Sequence, residues 1–176
     1  IKKTVSGDVM NIKKVSVDKE GTGMGWGAVY AQYLESMDQI GEQGNGLSVS
    51  RQLYKGDEAL NESAPLKVGD RITVRLTVKA DRDMDFVQIK DDRAACMEPL
   101  QAVSGFRWSN GLGYYQATKD ASTQFFIDQM RKGTYVIEYQ VYVNRTGEYQ
   151  AGIATVQSAY APEFGGHTGG YRVMVE

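Results

Sequence analysis

The sequence predicts an all-β fold, an antiparallel β-sandwich of the fibronectin or immunoglobulin type with little helix. Apolar and polar residues alternate through several short runs, which is the period of a strand that buries one face. Glycine-containing turn signals such as SNGLG, KGT and FGGHTGG separate these runs. NRTGEY, residues 144–149, predicts a hairpin connection between its flanking strands, with Gly147 supplying a positive φ. Because no convincing amphipathic helix interrupts the pattern, a sandwich is favoured over a mixed fold.

The clearest strands follow the two-residue period. RITVRLTVK, residues 71–79, places one apolar set on a single face: Ile72, Val74, Leu76 and Val78. TYVIEYQVYV, residues 134–143, repeats the pattern with a slip near its end: Tyr135, Ile137, Tyr139, Tyr142 and Val143. LSVSRQL, residues 47–53, keeps another set in step: Leu47, Val49, Arg51 and Leu53. YRVMV, residues 171–175, is predicted as the last strand.

The N-terminal part carries weaker signals. Residues 10–34 are interpreted as two strands joined by a glycine-rich turn. Three apolar residues that follow have helical spacing: Leu34, Met37 and Ile40. Glycine comes directly afterwards, so we expect at most one or two helical turns. The polar, glycine-punctuated residues 35–46 are the best candidate for a linker.

Length and charge exclude several classes of protein. A chain of 176 residues suits one domain, or one domain plus a fragment of a second. With 20 Lys and Arg against 22 Asp and Glu, the net charge is −2, so we expect neither nucleic acid nor an anionic membrane as a partner. No apolar run approaches the ~20 residues of a spanning helix, and the first residues do not form a signal peptide. We therefore expect a segment of a longer polypeptide whose localisation signal lies elsewhere.

The residues that carry most chemistry are few. Cys96 and His167 are the only cysteine and histidine, whereas a zinc site needs several converging ligands, so we expect neither a metal nor another cofactor. Asp81, Asp83 and Asp85 have the spacing that begins a calcium loop, but its central glycine and distal glutamate are missing. A charged strand edge is the favoured interpretation. A hydrolase that uses Cys96 with His167 as its base stays open, although a buried structural thiol is favoured.

Phosphate binding and catalysis find no further support. Residues 21–27, GTGMGWG, and residues 164–170, FGGHTGG, lack the Lys-Ser/Thr ending of a phosphate loop, and no helix pattern follows either stretch. The sequence contains no G-x-S-x-G nucleophile elbow. We therefore predict no catalytic residues and expect that the protein is not an enzyme.

A second class of function rests on the aromatic residues of GFRWSNGLGYY, residues 105–115. Trp108, Tyr114 and Tyr115 are candidates for a ligand platform on a free-standing extracellular module that binds a glycan or a protein. Core packing is the favoured interpretation for Phe106 and Trp108, since aromatic residues are common in sandwich cores. For Tyr114 and Tyr115, core and platform both stay open.

Four long runs resemble the C-terminal end of bacterial alpha-2-macroglobulin family proteins, in particular the Bacteroides type. They are GWGAVYAQYLESMDQI, LKVGDRITVRLTVKADRDMDFVQIKDDRAACMEP, SGFRWSNGLGYYQATKDASTQFFIDQMRKGTYVIEYQVYV and SAYAPEFGGHTGGYRV. These runs lie in the family's order and cover most of the chain from residue 24 onward. The resemblance implies a large protease trap of the cell envelope, periplasmic or surface-exposed, in which a protease cuts a bait region and is then held.

The resemblance also implies a domain organisation. Residues 46–176 would form the C-terminal macroglobulin-like sandwich, and residues 1–36 would be strands at the end of the small β domain that carries the thioester domain. Neither a bait region nor a thioester motif lies in this segment. The implied role is therefore non-catalytic: packing against other domains of the same longer chain, the thioester-type domain among them. Proteases would be met through the full-length protein, and no membrane insertion by this segment is expected.

One loop is singled out by position. Its matching residues in the family's interdomain loop are Tyr160, Pro162, Glu163, Phe164 and His167. Pro162 restricts the backbone, and Tyr160 and Phe164 offer the large, low-entropy contact area of interface anchors. The alternative, that Tyr160 and Phe164 cap their own sandwich, stays open. His167 is expected to be an exposed or hydrogen-bonded turn histidine.

Overall fold

The chain divides into two compact units, Ile1–Leu34 and Glu35–Glu176. The computed structural model describes residues 4, 6, 14–27, 30, 34–61 and 64–176. In the first unit, residues 14–27 contain no strand and their side chains are exposed. The strand pair predicted over residues 10–34 is therefore absent from this stretch, and most of its other residues lie outside the described part. Among the described residues, no helix is long and apolar enough to cross a membrane.

The second unit is built from short strands joined by turns. In chain order they are β1 (Gln43–Asn45), β2 (Leu47–Lys55), β3 (Glu58–Ala59), β4 (Arg71–Ala80), β5 (Met84–Asp92), β6 (Met97–Pro99), β7 (Gly105–Ser109), β8 (Leu112–Thr118), β9 (Ser122–Met130), β10 (Gly133–Val143), β11 (Gly147–Ala151), β12 (Ala154–Ser158), β13 (Gly165–His167) and β14 (Tyr171–Val175). Within the described residues, a 3-10 turn at Met37–Gln39 precedes them and agrees with the short helical stretch expected there. The all-β prediction is confirmed.

The strands form one long sheet that folds over on itself and one small sheet. The order in the long sheet is β6-β10-β4-β2-β1-β13-β12-β5-β9-β8-β7, with β3 attached to β2, and its neighbours are antiparallel. The small sheet pairs β11 with β14. The rings of Phe125 on β9 and Tyr139 on β10 lie 5.9 Å apart, so the two ends of the long sheet pack face to face as a sandwich.

The core follows the alternation in the sequence. In β4 the buried residues are Ile72, Val74, Leu76 and Val78, as predicted. In β10 the alternation continues without a slip, so Val141 is fully buried and Tyr142 lies outside with 39% of its surface exposed. The predicted inward position of Tyr142 was wrong, because an unbroken antiparallel pairing with β4 keeps the two-residue period to the end of the strand.

Two predicted connections are corrected by long-range pairing. Gly147 has the predicted positive φ of 132°, but β11 pairs with β14 rather than folding back on β10 as a hairpin. Residues 35–46 are not a free linker, because β1 within them pairs with β13. The backbone N–H of Gly170 also bonds the carbonyl of Ile40 at 3.2 Å. The sandwich therefore begins before residue 46.

A buried charge pair joins the two faces of the sandwich. Arg51 on β2 donates hydrogen bonds to the carboxylate of Asp91 on β5 and to the carbonyl of Gly152, and the two charged side chains are 5% and 1% exposed. The hydroxyl of Tyr139 donates to Asp91 at 2.7 Å. Burial is the largest influence on Asp91 and raises the pKa of its carboxyl, although Arg51 opposes the shift. Burial disfavours the charge of Arg51, but Asp91 together with Tyr171 and Tyr139 outweighs this and raises the Arg51 pKa.

Candidate functional site

The loop between β12 and β13 has a rigid backbone. The N–H of Phe164 donates to the carbonyl of Ala161 at 2.9 Å, and the N–H of Ser158 donates to the carbonyl of Phe164 at 3.0 Å. Side chains from neighbouring strands add two bonds from outside the loop. Asn45 donates to the Glu163 carbonyl at 2.7 Å, and Gln157 donates to the Pro162 carbonyl at 3.2 Å. The conformation of the loop is thus fixed from both sides.

Tyr160 is presented to solvent on this rigid loop. Its surface is 78% exposed, and its ring meets the ring of Phe86 edge-on, with centroids 5.1 Å apart at 88°. The two segments are also tied by the backbone, since the N–H of Ala159 donates to the carbonyl of Phe86 at 2.8 Å. Because ring and backbone are both held, Tyr160 would lose little conformational freedom on contacting another surface.

Phe86 supports Tyr160 from an unusual backbone conformation. Its φ is +53°, a left-handed value that residues other than glycine rarely adopt. Asp85 and Val87 pair with β9, but Phe86 does not join that ladder. As a result the inside-outside alternation of β5 resets here: Asp85 and Phe86 both face solvent before Val87 turns inward. No pattern in the sequence predicted this change of alternation.

Phe164 behaves differently from Tyr160. It is partly buried against the core, and the guanidinium of Arg82 lies 4.7 Å from its ring centroid. A side chain at Gly46 would approach Phe164 to 2.7 Å, so the glycine leaves room for the ring. Phe164 therefore caps its own sandwich, whereas Tyr160 lies on the surface. The core-capping alternative therefore applies to Phe164 and not to Tyr160, and an interface role for Tyr160 stays a prediction.

The remaining loop residues offer no catalytic arrangement. Pro162 and Glu163 are exposed, and His167 is half-buried in β13 with its Nδ1 3.1 Å from the carbonyl of Thr168. Cys96 is fully buried, and burial raises the pKa of its thiol, which disfavours the nucleophilic thiolate. Among the residues that the structure describes, no cluster of His, Cys, Asp and Glu could hold a metal ion.

The β7–β8 hairpin determines which aromatic residues of the candidate ligand platform, residues 105–115, are exposed. Tyr114 is 5% exposed and packs edge-on against Phe125, so it belongs to the core. Phe106 and Trp108, for which core packing was expected, are 80% and 77% exposed. The register explains both corrections, because Phe106 pairs with Tyr115 and Arg107 with Tyr114, which places the odd and even residues of β7 on opposite faces.

Two residues of this exposed aromatic face were missed. Phe126 on β9 is directly opposite Tyr115 and is 39% exposed, and Phe86 on β5 is 47% exposed. The signal for Phe126 was present in the alternation of residues 122–130, whose inward positions include Phe125 and Ile127. Which strands would be neighbours could not be inferred, because β5, β8 and β9 come together only through the sheet order.

The fold defines an immunoglobulin-like macroglobulin domain with an exposed aromatic loop and an exposed aromatic sheet face. Residues 46–163 match the family described as the bacterial alpha-2-macroglobulin MG10 domain, and the chain belongs to this family. A crystal structure of a Salmonella alpha-2-macroglobulin mutant superimposes with a TM-score of 0.66 at 19% identity, over 77% of this chain and 10% of that one. Trypsin-activated alpha-2-macroglobulin from Escherichia coli gives 0.65 at 15% identity, over 78% and 11%.

A curated protein is also similar in sequence. Circularly permutated Ras protein 2 of Dictyostelium discoideum is 27% identical over 166 residues, which is 90% of this chain and 4% of that protein. The chain therefore spans only a small part of each of these proteins. The likeness to the bacterial structures establishes the fold of the domain within larger alpha-2-macroglobulin chains.

Proposed function

We propose that this domain is a non-catalytic packing domain of an alpha-2-macroglobulin-like protease-trapping protein of the cell envelope. Its role is to contact neighbouring domains of the same longer chain, among them a thioester-type domain, and to pass on the rearrangement that follows cleavage. Proteases are met by the whole protein and not by this domain alone. The domain organisation that goes with this proposal assigns residues 1–36 to the preceding small β domain.

The exposed Tyr160 on its rigid loop carries the proposal. An isolated sandwich gains little from holding a tyrosine 78% exposed, yet five hydrogen bonds fix the backbone around it and the ring of Phe86 supports its ring. Exposed aromatic side chains on preorganised loops are typical of interface anchors. Family membership indicates what Tyr160 would contact. MG10 is one domain of a longer chain, so another domain of that chain is the expected partner.

The protease-trapping part of the proposal comes from the relatives. The Escherichia coli protein is described as trypsin-activated, which means that a protease changes its state. We infer the same response for the longer chain that contains this domain. The envelope location is inferred in the same way from the bacterial alpha-2-macroglobulins.

Tyr160→Ala tests the contact. In the isolated 176-residue chain we expect the melting temperature to change by no more than about 2 °C, because the ring is mostly exposed and surface changes cost little. In the full-length protein the same change should increase the rate of limited proteolysis and lower the melting temperature of the domain. Thermal unfolding of both forms makes the measurement.

Phe164→Ala is the matched control on the same loop. Its ring packs on its own core, so the isolated chain should lose at least about 2 kcal/mol of unfolding free energy. A large loss of stability from Tyr160→Ala in the isolated chain would instead place Tyr160 in its own core. An intact protein that does not respond to Tyr160→Ala would refute the interdomain contact.

A further inference from the structure

Strand β7 is an edge of the long sheet as the described residues build it. It pairs with β8 on one side and has no neighbouring strand on the other among those residues. The turn that follows it consists of Asn110 and Gly111, with φ values of 50° and 77°, which is the two-residue hairpin turn with left-handed residues. In such a hairpin the residues that flank the turn, Ser109 and Leu112, form a hydrogen-bonded pair.

This register decides which backbone groups face outward. Hydrogen-bonded and non-hydrogen-bonded pairs alternate along an antiparallel ladder, so Arg107 bonds across to Tyr114. Phe106 and Trp108 lie in the other set, and their N–H and C=O groups therefore point away from β8. The free edge offers two donors and two acceptors in the spacing of one added strand.

The edge has fewer of the devices that usually prevent pairing. At the opposite end of the sheet, β6 is three residues long and contains Glu98 and Pro99, and charge and proline both discourage an added strand. β7 contains no proline, and its one charged residue, Arg107, is half-buried. The residues with the outward backbone groups are Phe106 and Trp108, whose side chains are 80% and 77% exposed.

The solvent face of the edge is apolar. Phe106 pairs with Tyr115, and Tyr115 pairs with Phe126, so the three rings form a row across β7, β8 and β9. The rings of Phe106 and Tyr115 meet edge-on with centroids 5.1 Å apart. An added strand with apolar side chains opposite Phe106 and Trp108 would extend this row by one strand and remove the exposed rings from water.

The opposite face of the edge is cationic. Arg107 is half-buried, and the hydrogen bonds of its guanidinium within the described residues go to Gln101 Oε1 at 3.4 Å and to the Val103 carbonyl at 3.3 Å. The ion pairs formed within the described part of the chain do not include it. A carboxylate on the added strand, directly opposite Arg107, would supply the missing negative charge. A second copy of β7 would instead place arginine against arginine in the register that pairs Phe106 with Trp108.

We propose that β7 accepts an extended segment of another polypeptide as an added strand. The segment carries an apolar, an acidic and an apolar residue opposite Phe106, Arg107 and Trp108, and its backbone bonds to the outward groups of the two aromatic residues. This inference does not depend on the Tyr160 loop. That loop follows β12, and strands β5, β9 and β8 lie between β12 and β7 in the sheet.

A peptide titration tests the proposal with the 176-residue protein. The probe is a nine-residue peptide with the centre Val-Glu-Val and threonine at the other positions, and its matched control has Val-Lys-Val. With the glutamate peptide, the amide signals of Phe106 and Trp108 should shift in NMR spectra and their hydrogen exchange should slow at least tenfold. Arg107→Glu should reverse the preference, so that the lysine peptide binds at least tenfold more tightly than the glutamate peptide.

Two substitutions at one position separate the backbone from the ring. Phe106→Pro removes the outward N–H, which takes no part in the pairing with β8, so the hairpin should persist and binding should be lost. Phe106→Ala keeps the N–H and should weaken binding only a few-fold. Melting curves of both variants confirm that the sandwich has folded.

Four results would overturn the inference. These are binding of the peptide by Phe106→Pro at wild-type affinity, absence of any binding at millimolar peptide, and an unchanged charge preference in Arg107→Glu. The fourth is occupation of the edge by a different partner. Concentration-dependent dimerisation that Phe106→Pro abolishes would identify a second copy, and glycan-array binding that Trp108→Ala abolishes, without peptide binding, would identify a sugar.

Discussion

At the scale of single residues, Tyr171 shows how the buried charges set the response to pH. Its ring lies 4.5 Å from the guanidinium of Arg51. Burial, with a smaller contribution from the negative charge of Asp91, raises the pKa of Tyr171 to about 12, whereas Arg51 acts in the opposite direction. An unfolded tyrosine titrates near pH 10, so the unfolded chain loses this proton first. The stabilisation is therefore complete below pH 10 and is lost between pH 10 and pH 12.

Tyr171→Phe should remove this part of the pH dependence. Phenylalanine keeps the ring beside Arg51 and cannot ionise, so we expect a free energy of unfolding within about 1 kcal/mol of the wild type at pH 8. A shift of about two pKa units corresponds to about 2.7 kcal/mol, which is the most that the wild type should lose relative to the variant by pH 12. Urea unfolding from pH 8 to pH 11.5 measures the difference. Parallel curves for the two proteins would contradict the assignment.

At the scale of elements, β5 depends on one left-handed residue. Phe86 at φ +53° resets the alternation so that Val87, Ile89 and Asp91 face the core. A residue other than glycine in this conformation costs about 1 kcal/mol or more. The contact of Phe86 with Tyr160 and the hydrogen bond from Ala159 hold it there. The strain therefore supports both the register of the strand and the placement of the exposed loop.

A glycine-alanine comparison at this position measures the strain. Both substitutions delete the ring, but Phe86→Gly also relieves the left-handed backbone, so it should be more stable than Phe86→Ala by about 1 kcal/mol. Gln88 is the control, since it is exposed in the same strand and its φ is not positive. There glycine should be less stable than alanine by about 0.5–1 kcal/mol. The same sign at both positions in urea unfolding would argue against strain at Phe86.

At the scale of the whole molecule, the sequence predicted local periodicity well and long-range pairing poorly. β4 was read correctly because its four inward residues alternate without interruption. The pairing partners of β1 and β11 were not predicted correctly, because sheet order arises from contacts between residues far apart in the chain. The alternation placed Arg51 on the same strand face as Leu47 and Val49. It could not identify the partner of Arg51, because Asp91 lies forty positions away on another strand. For the same reason the sequence singled out Tyr160 as a candidate contact residue but did not predict that the ring of Phe86 packs against it.

The Arg51–Asp91 pair connects the two halves of the sandwich, so its removal should lower the free energy of unfolding of the whole domain. Asp91→Asn leaves the guanidinium buried without a carboxylate, which should cost about 3–5 kcal/mol of unfolding free energy. Glu138→Gln is the matched control, because it breaks the pair with Arg75, whose side chains are 42% and 44% exposed, and should cost less than about 1 kcal/mol. Replacing Arg51 by methionine and Asp91 by leucine together should recover much of the loss, since neither charge is then left alone. Urea denaturation at pH 7 measures all three, and equal effects of Asp91→Asn and Glu138→Gln would show that the buried pair does not hold the two faces together.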